Sequence, residues 1–186
     1  MEKIITKMHR FISPNGKFGF HVANTIGATP QYNEWIDDWS DFWDKHRLGY
    51  MLQLTNDADL DSNTISKLRI KTKELLSQHS PCASLIHGDL WGGNKGYARV
   101  DNNVVVPVIF DPATYYGDRE ADIAMTYLFG GFTSKFYEGY NSEWPLPEGH
   151  ENRRIVYNLY HILNHEVLFG GYCSQAQSMI QRILKM

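Results

Sequence analysis

Apolar residues recur along the chain with two different periods, and the change from one to the other outlines the architecture. Ile4, Ile5 and Met8 share one helical face and predict a short amphipathic helix at the start. From Phe11 to Asn33 the period is lost, and Pro14-Asn15-Gly16, Gly19, Gly27 and Pro30 punctuate the segment. A structureless loop of that length is uncommon unless it lines something. Trp35, Trp39, Phe42, Trp43 and Met51 return to helical spacing, with Asp37, Asp38, Asp41 and Asp44 towards the N-terminal half, where a helix favours anions. Another helix is expected over 63–78, with Ile65, Leu68, Leu75 and Leu76 inward. The character changes at Ala83. Ser84-Leu85-Ile86 is a brief apolar rise into the polar turn His87-Gly88-Asp89, and the β-prone runs Gly96 to Val100 and Val104 to Phe110 flank the turn-rich Asp101-Asn102-Asn103. That pattern is a hairpin, and Pro107, which has no N–H, puts its strand at an edge or a bulge. Beyond Asp118, Ile123, Ala124, Tyr127 and Leu128 mark a helix ending at Gly130-Gly131. A polar stretch with Pro145 and Pro147 follows. Ile155, Leu159, Ile162, Leu163 and Val167 mark a long helix stopped by Gly170-Gly171, and Met179, Ile180, Ile183 and Leu184 a last one. The expected fold class is α+β, mainly helical around one central β-hairpin, with no internal repeat or linker.

Composition narrows the functional classes. Of 186 residues, 42 % are hydrophobic and 21 % charged, as in an ordinary globular chain that buries a core without staples. Lys plus Arg number 18 and Asp plus Glu 21, a net charge of −3, so neither nucleic acid nor an anionic membrane is expected as the main partner. The longest apolar run, Val104 to Phe110, contains a proline and falls far short of the roughly twenty residues of a membrane span. Met1-Glu2-Lys3-Ile4 carries an acid and no apolar core of a secretory signal. Cys82 and Cys173 form neither a CxxC nor a disulfide framework and read as reduced, buried thiols of a cytoplasmic protein. Thirteen per cent aromatic content suits a thick core or an aromatic-lined cleft.

The chemistry concentrates in His87-Gly88-Asp89-Leu90-Trp91-Gly92-Gly93-Asn94 and in Asp111 beyond the hairpin. Reflecting the hairpin about Asn102 sets Asn94 opposite Phe110, so Asp111 emerges beside Asn94, with Asp89 one turn of loop earlier. Two carboxylates and an amide oxygen then converge, a hard-oxygen set that suits Mg²⁺ and leaves room for phosphate oxygens. Protein kinases use the same spacing: an Asp takes the substrate hydroxyl proton, an Asn five residues on holds a metal, and a later Asp holds metal as well. Gly88 stands where protein kinases have Arg. Gly92-Gly93 allows the close backbone approach that a crowded metal and phosphate site needs. Asp-x4-Asn alone is an ordinary turn pattern, and the intervening hairpin is what makes the whole constellation specific.

At these residues, and at Phe110-Asp111-Pro112-Ala113 through Asp118-Arg119-Glu120-Ala121-Asp122, the chain resembles the fructosamine (ketosamine) kinase family, in the aminoglycoside-phosphotransferase branch of the protein-kinase-like fold. Phe18-Gly19-Phe20, Gln31-Tyr32-Asn33-Glu34-Trp35, Asp38-Trp39, Arg47-Leu48 and Leu168-Phe169-Gly170-Gly171 extend the resemblance over nearly the whole chain. It implies a kinase-like C-terminal lobe over 35–186, with residues 1–34 leaving the side of an N-terminal lobe, the catalytic loop at 87–94, the hairpin at 95–110 and the metal aspartate at 111. It implies Asp89 as catalytic base, His87 as the residue that orients the loop, Asn94 and Asp111 as magnesium ligands, Trp91 in the substrate pocket and Asp122 bracing the loop. Arg119 and Glu120 touch substrate or phosphate, or else form an ion pair at a helix start. The implied reaction moves the γ-phosphate of ATP, with Mg²⁺, to the third-carbon hydroxyl of a small-molecule or protein-bound ketosamine, which releases the amine. No GxGxxG, GxxxxGK[ST] or Val-Ala-Ile-Lys-like strand occurs in these residues. The resemblance therefore implies that the N-terminal lobe is largely absent and that turnover by this chain alone is weak or nil.

The competing readings are a kinase of another small hydroxyl substrate, such as an aminoglycoside or choline, and a non-catalytic fragment that binds sugar adducts or a partner. Two further patterns have plain alternatives. His161 and His165 are spaced to share a metal but lack a third ligand, so core or surface positions are expected. The stripe Trp35, Trp39, Phe42, Trp43 reads better as core than as a ligand wall.

Overall fold

The computed structural model describes residues 1–55, 60–100 and 104–186. Helix α1, Glu2–His9, turns Ile5, Thr6 and His9 inward, whereas Ile4 is exposed. The buried face thus runs through Ile5 and His9, four apart and stacked on one side, which excludes the adjacent Ile4. The segment expected to be a long loop carries structure of its own. Strands β1, Asn24–Ile26, and β2, Thr29–Gln31, pair antiparallel, with Thr25 opposite Pro30. Single bridges tie Ile12 to Ser84, Phe18 to Ile36 and Gly19 to Tyr116.

The aromatic helix starts later than its spacing suggests. Phe18 and Ile36 exchange both backbone hydrogen bonds at 2.9 Å, which holds Ile36 extended. Asp38 then caps α2, Trp39–Trp43, by accepting from the Asp41 amide. Trp35 lies outside the helix, stacked 6.0 Å from Tyr116. Residues Asp44–Leu48 wind as a π-helix before α3, Gly49–Leu54. Trp39, Phe42 and Trp43 are core residues, as their spacing implied. Helix α4, Ser62–Ser77, is capped by Asp61 and buries Leu68, Thr72 and Leu76, with Ile65 and Leu75 only partly covered.

Strand β3 is Ser84–Ile86, and β4, Lys95–Arg99, pairs antiparallel with β5, Val105–Ile109. Lys95 faces Ile109 and Tyr97 faces Pro107, the register expected for a hairpin centred on Asn102. The triplet 101–103 itself lies outside the described residues. With two strands in this sheet, Pro107 sits on an edge. Strand β6, Tyr115–Gly117, pairs antiparallel with β3 and has no counterpart in the sequence reading.

Helices α5, Arg119–Leu128, α6, Ser134–Glu143, α7, His150–Phe169, and α8, Cys173–Leu184, complete the fold. Helix α6 arises inside the stretch read only as polar, because Phe136 and Tyr140 give it one apolar stripe that packs on α1. Helix α7 runs through the main core, where Trp43 meets Tyr157 and Tyr160 edge-on. Both thiols differ from expectation: Cys82 is exposed in the segment before β3, and Cys173 is half-buried at the start of α8. Among the described residues, no helix is long and apolar enough to cross a membrane.

Candidate active site

The pairing of β3 with β6 delivers two loops to one place. After β3 the chain enters His87-Gly88-Asp89. Gly88 has φ +82°, and a Cβ there would stand 2.0 Å from the Ala113 carbonyl oxygen, so only glycine lets the two loops lie against each other. Behind them, the buried Asp122 of α5 accepts from the amides of His87 at 2.7 Å and Gly88 at 2.8 Å, and from His9 Nε2 at 3.0 Å. Burial alone would raise the Asp122 pKa, but the hydrogen bond and charge of His9, with further help from His87, hold it below the usual carboxylate value. The contacts continue outward: His9 Nδ1 and Tyr140 Oη are hydrogen-bonded at 2.8 Å, and Tyr140 accepts from Arg119 at 2.9 Å.

His87 joins the loop to the far end of the hairpin. Its Nδ1 accepts from the Asp89 amide at 3.3 Å, which leaves the proton on Nε2 to donate to the Phe110 carbonyl at 3.0 Å. Asn94 locks the other side. Its Nδ2 donates to the Asp89 carbonyl and to Asp89 Oδ2, both at 3.0 Å, and approaches the Asp111 carbonyl at 3.4 Å. With the nitrogen so occupied, Oδ1 is the acceptor left to the cleft. Burial pushes the Asp89 pKa up to about 6; the Asn94 hydrogen bond opposes this, and the charges of Asp111 and Asp122 add to it. Asp111 has φ 55°, the one non-glycine residue with positive φ among those described. Its side chain is exposed and has no hydrogen-bond partner among the described residues. An amide oxygen and a free carboxylate beside a second carboxylate form a hard-oxygen donor set, which fits Mg²⁺ with phosphate oxygens completing its shell.

These groups open into a cleft of about 440 Å³. Trp91 and Phe129 form one wall, in edge-to-face contact at 6.1 Å. Two glycines make that wall possible: a Cβ on Gly93 would lie 2.2 Å from the Trp91 ring, and one on Gly92 would lie 2.8 Å from the Gly130 carbonyl oxygen. Their small size thus admits an indole and a neighbouring loop. The opposite wall is the end of α7, with Asn164, His165 and Leu168, continued by Phe169 and Tyr172. Ile26 and Gly27, at the tip of the β1–β2 hairpin, complete the rim. That hairpin is clamped to the loop after Asp111, because Asn24 donates to the Thr114 carbonyl at 2.8 Å and Gln31 to the Ala113 carbonyl at 2.9 Å. The glycine-punctuated segment expected to line something therefore does so.

Arg119 and Glu120 are not brought to this cleft. The first turn of α5 faces α7 and the Trp144–Pro147 segment. Arg119 donates to the Trp144 and Pro145 carbonyls at 3.1 and 2.6 Å, and Glu120 accepts from Arg153 Nε and Nη2, both at 2.8 Å. Together with His79 and Asp118 they line a separate cavity of about 280 Å³. The alternative of an ion pair at a helix start describes Glu120, with Arg153 as its partner. His161 is buried, and burial first, then the charge of His165, pushes its pKa down to about 3. His165 Nδ1 lies 2.8 Å from the His161 carbonyl. Sequence reasoning missed His9, Ile26, Phe129, Asn164 and Tyr172, all brought in by tertiary contacts without a local motif.

The protein-family model for fructosamine kinase matches residues 1–186. A Synechocystis sp. protein named "Probable ketoamine kinase" is 49 % identical over 173 residues, covering 92 % of this chain and 57 % of that protein. The Arabidopsis thaliana "Protein-ribulosamine 3-kinase, chloroplastic" is 45 % identical, covering 98 % of this chain and 56 % of its own length. A crystal structure from Haemophilus somnus 129PT, described as "Putative fructosamine-3-kinase", superposes with a TM-score of 0.86 at 33 % identity, over 98 % of this chain and 61 % of the other. The chain thus spans little more than half the length of the curated relatives it matches.

Proposed function

The chain belongs to the fructosamine kinase family, and from that premise we propose that its cleft serves the transfer of the γ-phosphate of ATP to the third-carbon hydroxyl of a ketosamine. Residues 35–186 act as the kinase-like C-terminal lobe, entered through residues 1–34. Asp89 is the general base for the attacking hydroxyl. A carboxylate lifted to about 6 accepts a proton more readily than an ordinary aspartate while staying ionised at neutral pH. Asn94 Oδ1 and the Asp111 carboxylate would hold Mg²⁺, which neutralises phosphate charge when bound. His87 and Asp122 are positioning residues: the first ties the base to the end of the hairpin, the second fixes the loop amides. Trp91 offers an aromatic face to the acceptor. The observation that carries the reading is the single hydrogen-bonded unit of Asp89 and Asn94 opening beside the Asp111 carboxylate, which has no hydrogen-bond partner among the described residues. Cytoplasmic residence belongs to the same proposal.

The test combines calorimetry with product analysis by mass spectrometry. Mg–ATP is expected to bind saturably, with affinity lost in Asp111→Ala. Turnover by this chain alone is expected to be weak, with a fructosyl amine phosphorylated in preference to choline or kanamycin, and Asp89→Ala is expected to abolish it. Preference for choline or kanamycin overturns the substrate assignment. Absence of heat at millimolar Mg–ATP overturns the kinase reading of this chain.

A further inference from the structure

His165 leaves one ring nitrogen free on the α7 wall of the cleft. Its Nδ1 faces the His161 carbonyl, one turn back along the helix, at 2.8 Å. A carbonyl only accepts, so Nδ1 carries the proton, and in the neutral ring Nε2 is a bare acceptor. Nε2 has no hydrogen-bond partner among the described residues and, unlike Nδ1 of the buried His161, is not closed off from solvent. The ring itself sets its direction. The two nitrogens flank one carbon and point apart, so an Nδ1 turned back onto its own helix sends Nε2 away from α7. The cleft lies on that side. Phe129, Tyr172 and Phe169 box the imidazole at 4.7, 5.3 and 5.7 Å, and all three line the cleft together with His165, Asp89 and Asp111.

These surroundings select the donor that the free nitrogen receives. Phe129 is 38 % exposed and Phe169 73 %, so ring surface stands open to a ligand, and aromatic faces attract cations. The carboxyl side chains in the cleft, Asp89 and Asp111, add negative charge. Rings and acids together favour a cation over a neutral group and oppose a carboxylate, while the bare nitrogen requires that the cation carry an N–H. We propose that His165 Nε2, within its box of Phe129, Phe169 and Tyr172, receives the secondary ammonium that joins the sugar to its carrier, and so lets the cleft distinguish a ketosamine from a free ketose. This rests on the acceptor reading of the same cleft. The ammonium is carried on the carbon two along from the one bearing the reacting hydroxyl, so base and ammonium site must share one cleft, as Asp89 and His165 do.

Calorimetry on the chain in Mg²⁺ and ADP, with 1-deoxy-1-propylamino-fructose and with fructose, provides the test. The amine adduct is expected to bind the parent more tightly than fructose does. Two variants remove Nε2 in different ways: His165→Phe keeps a ring among its aromatic neighbours, and His165→Asn keeps a donor for the His161 carbonyl. Each is expected to weaken adduct binding about tenfold or more while leaving fructose and Mg–ADP affinities unchanged. Mg–ADP affinity also reports whether a variant is folded, so either one suffices if the other fails to fold. Parent-like adduct affinity in a folded variant, or an equal loss of fructose and adduct, overturns the role of His165 and leaves the kinase reading in place. A parent chain that binds neither sugar overturns the acceptor reading and His165 with it. Adduct binding that depends on His165 without any Mg–ADP binding overturns the nucleotide half of the reading alone.

Discussion

Asp89 and Asp122 are two carboxylates acting on the same short loop, one in front of it and one behind, and their surroundings push them in opposite directions. Asp122 is sealed in, with two amides and an imidazole as donors, and its pKa is held down in spite of burial. Asp89 is partly buried with one side-chain donor and two acidic neighbours, and its pKa is lifted to about 6. Burial is common to both, so the number of donors decides the sign. A carboxylate whose acceptors are filled holds structure together, whereas one left short of donors is available for proton transfer.

Removing Asp122 is expected to have the largest effect. Asp122→Ala leaves the His87 and Gly88 amides and His9 without their partner in a dry site, and should cost about 3–5 kcal/mol in urea unfolding. The pH dependence has a definite sign. A folded pKa below the unfolded value of about 4 means that the contribution is present above that pH and is lost as pH falls through the folded value. The variant should therefore lose the acid limb of the stability profile along with its stability. An unfolding midpoint close to that of the parent would break the contrast between the two aspartates.

Asp89→Asn should shift stability the other way. The folded pKa is raised from 3.8 to about 6, so the folded state binds this proton more tightly than the unfolded chain does. Stability from this group then falls as pH rises from about 4 through 6 and stays at its lowest above that. A neutral amide removes the penalty. The gain at pH 7 in the absence of metal is expected to be about 1–2 kcal/mol, less than two pKa units represent because water partly screens the site, and near zero at pH 4. Phosphoryl transfer should be lost in the same variant. Loss of stability on this substitution would show that Asp89 is held as firmly as Asp122.

The same division between front and back separates what the sequence made legible from what it hid. The relation of Asp89, Asn94 and Asp111 follows from a loop and a hairpin close together in the chain, and the observed pairing of Lys95 with Ile109 matches the turn-centred register. Strand β6 was hidden because Tyr115-Tyr116-Gly117 is too short to show a period and pairs with a strand across the whole catalytic segment. The brace and the cleft walls were hidden for a related reason. His9 reaches Asp122 from the first helix, and Asn164 meets the cleft from α7, so neither carries a signal in its own neighbourhood. Arg119 and Glu120 show the converse: adjacency to Asp111 in sequence left both the cleft and an ion pair open, and the N-terminal turn of α5 faces Trp144 and Arg153. The aromatic spacing that placed Trp35 in a helix failed because the Phe18–Ile36 bridge competes for that backbone.

The smallest expected effect sharpens the contrast at the level of the backbone. Asp111 sits at φ 55°, a left-handed conformation that is costly for residues with a Cβ. Its carboxylate has no partner among the described residues that would repay the strain, so in the proposed reaction the conformation would aim a metal ligand into the cleft. Asp111→Gly and Asp111→Ala remove the carboxylate alike and differ in how well they tolerate that backbone. The glycine variant should therefore be the more stable by about 1 kcal/mol in thermal unfolding, although glycine also gains freedom in the unfolded chain. Both should lose Mg²⁺-dependent nucleotide binding to the same extent. A separation in stability without a separation in binding would place strain and function on one residue in the front of the loop. Equal stability of the two variants would mean that the left-handed turn is no burden, and that the cleft differs from the brace behind it in charge alone.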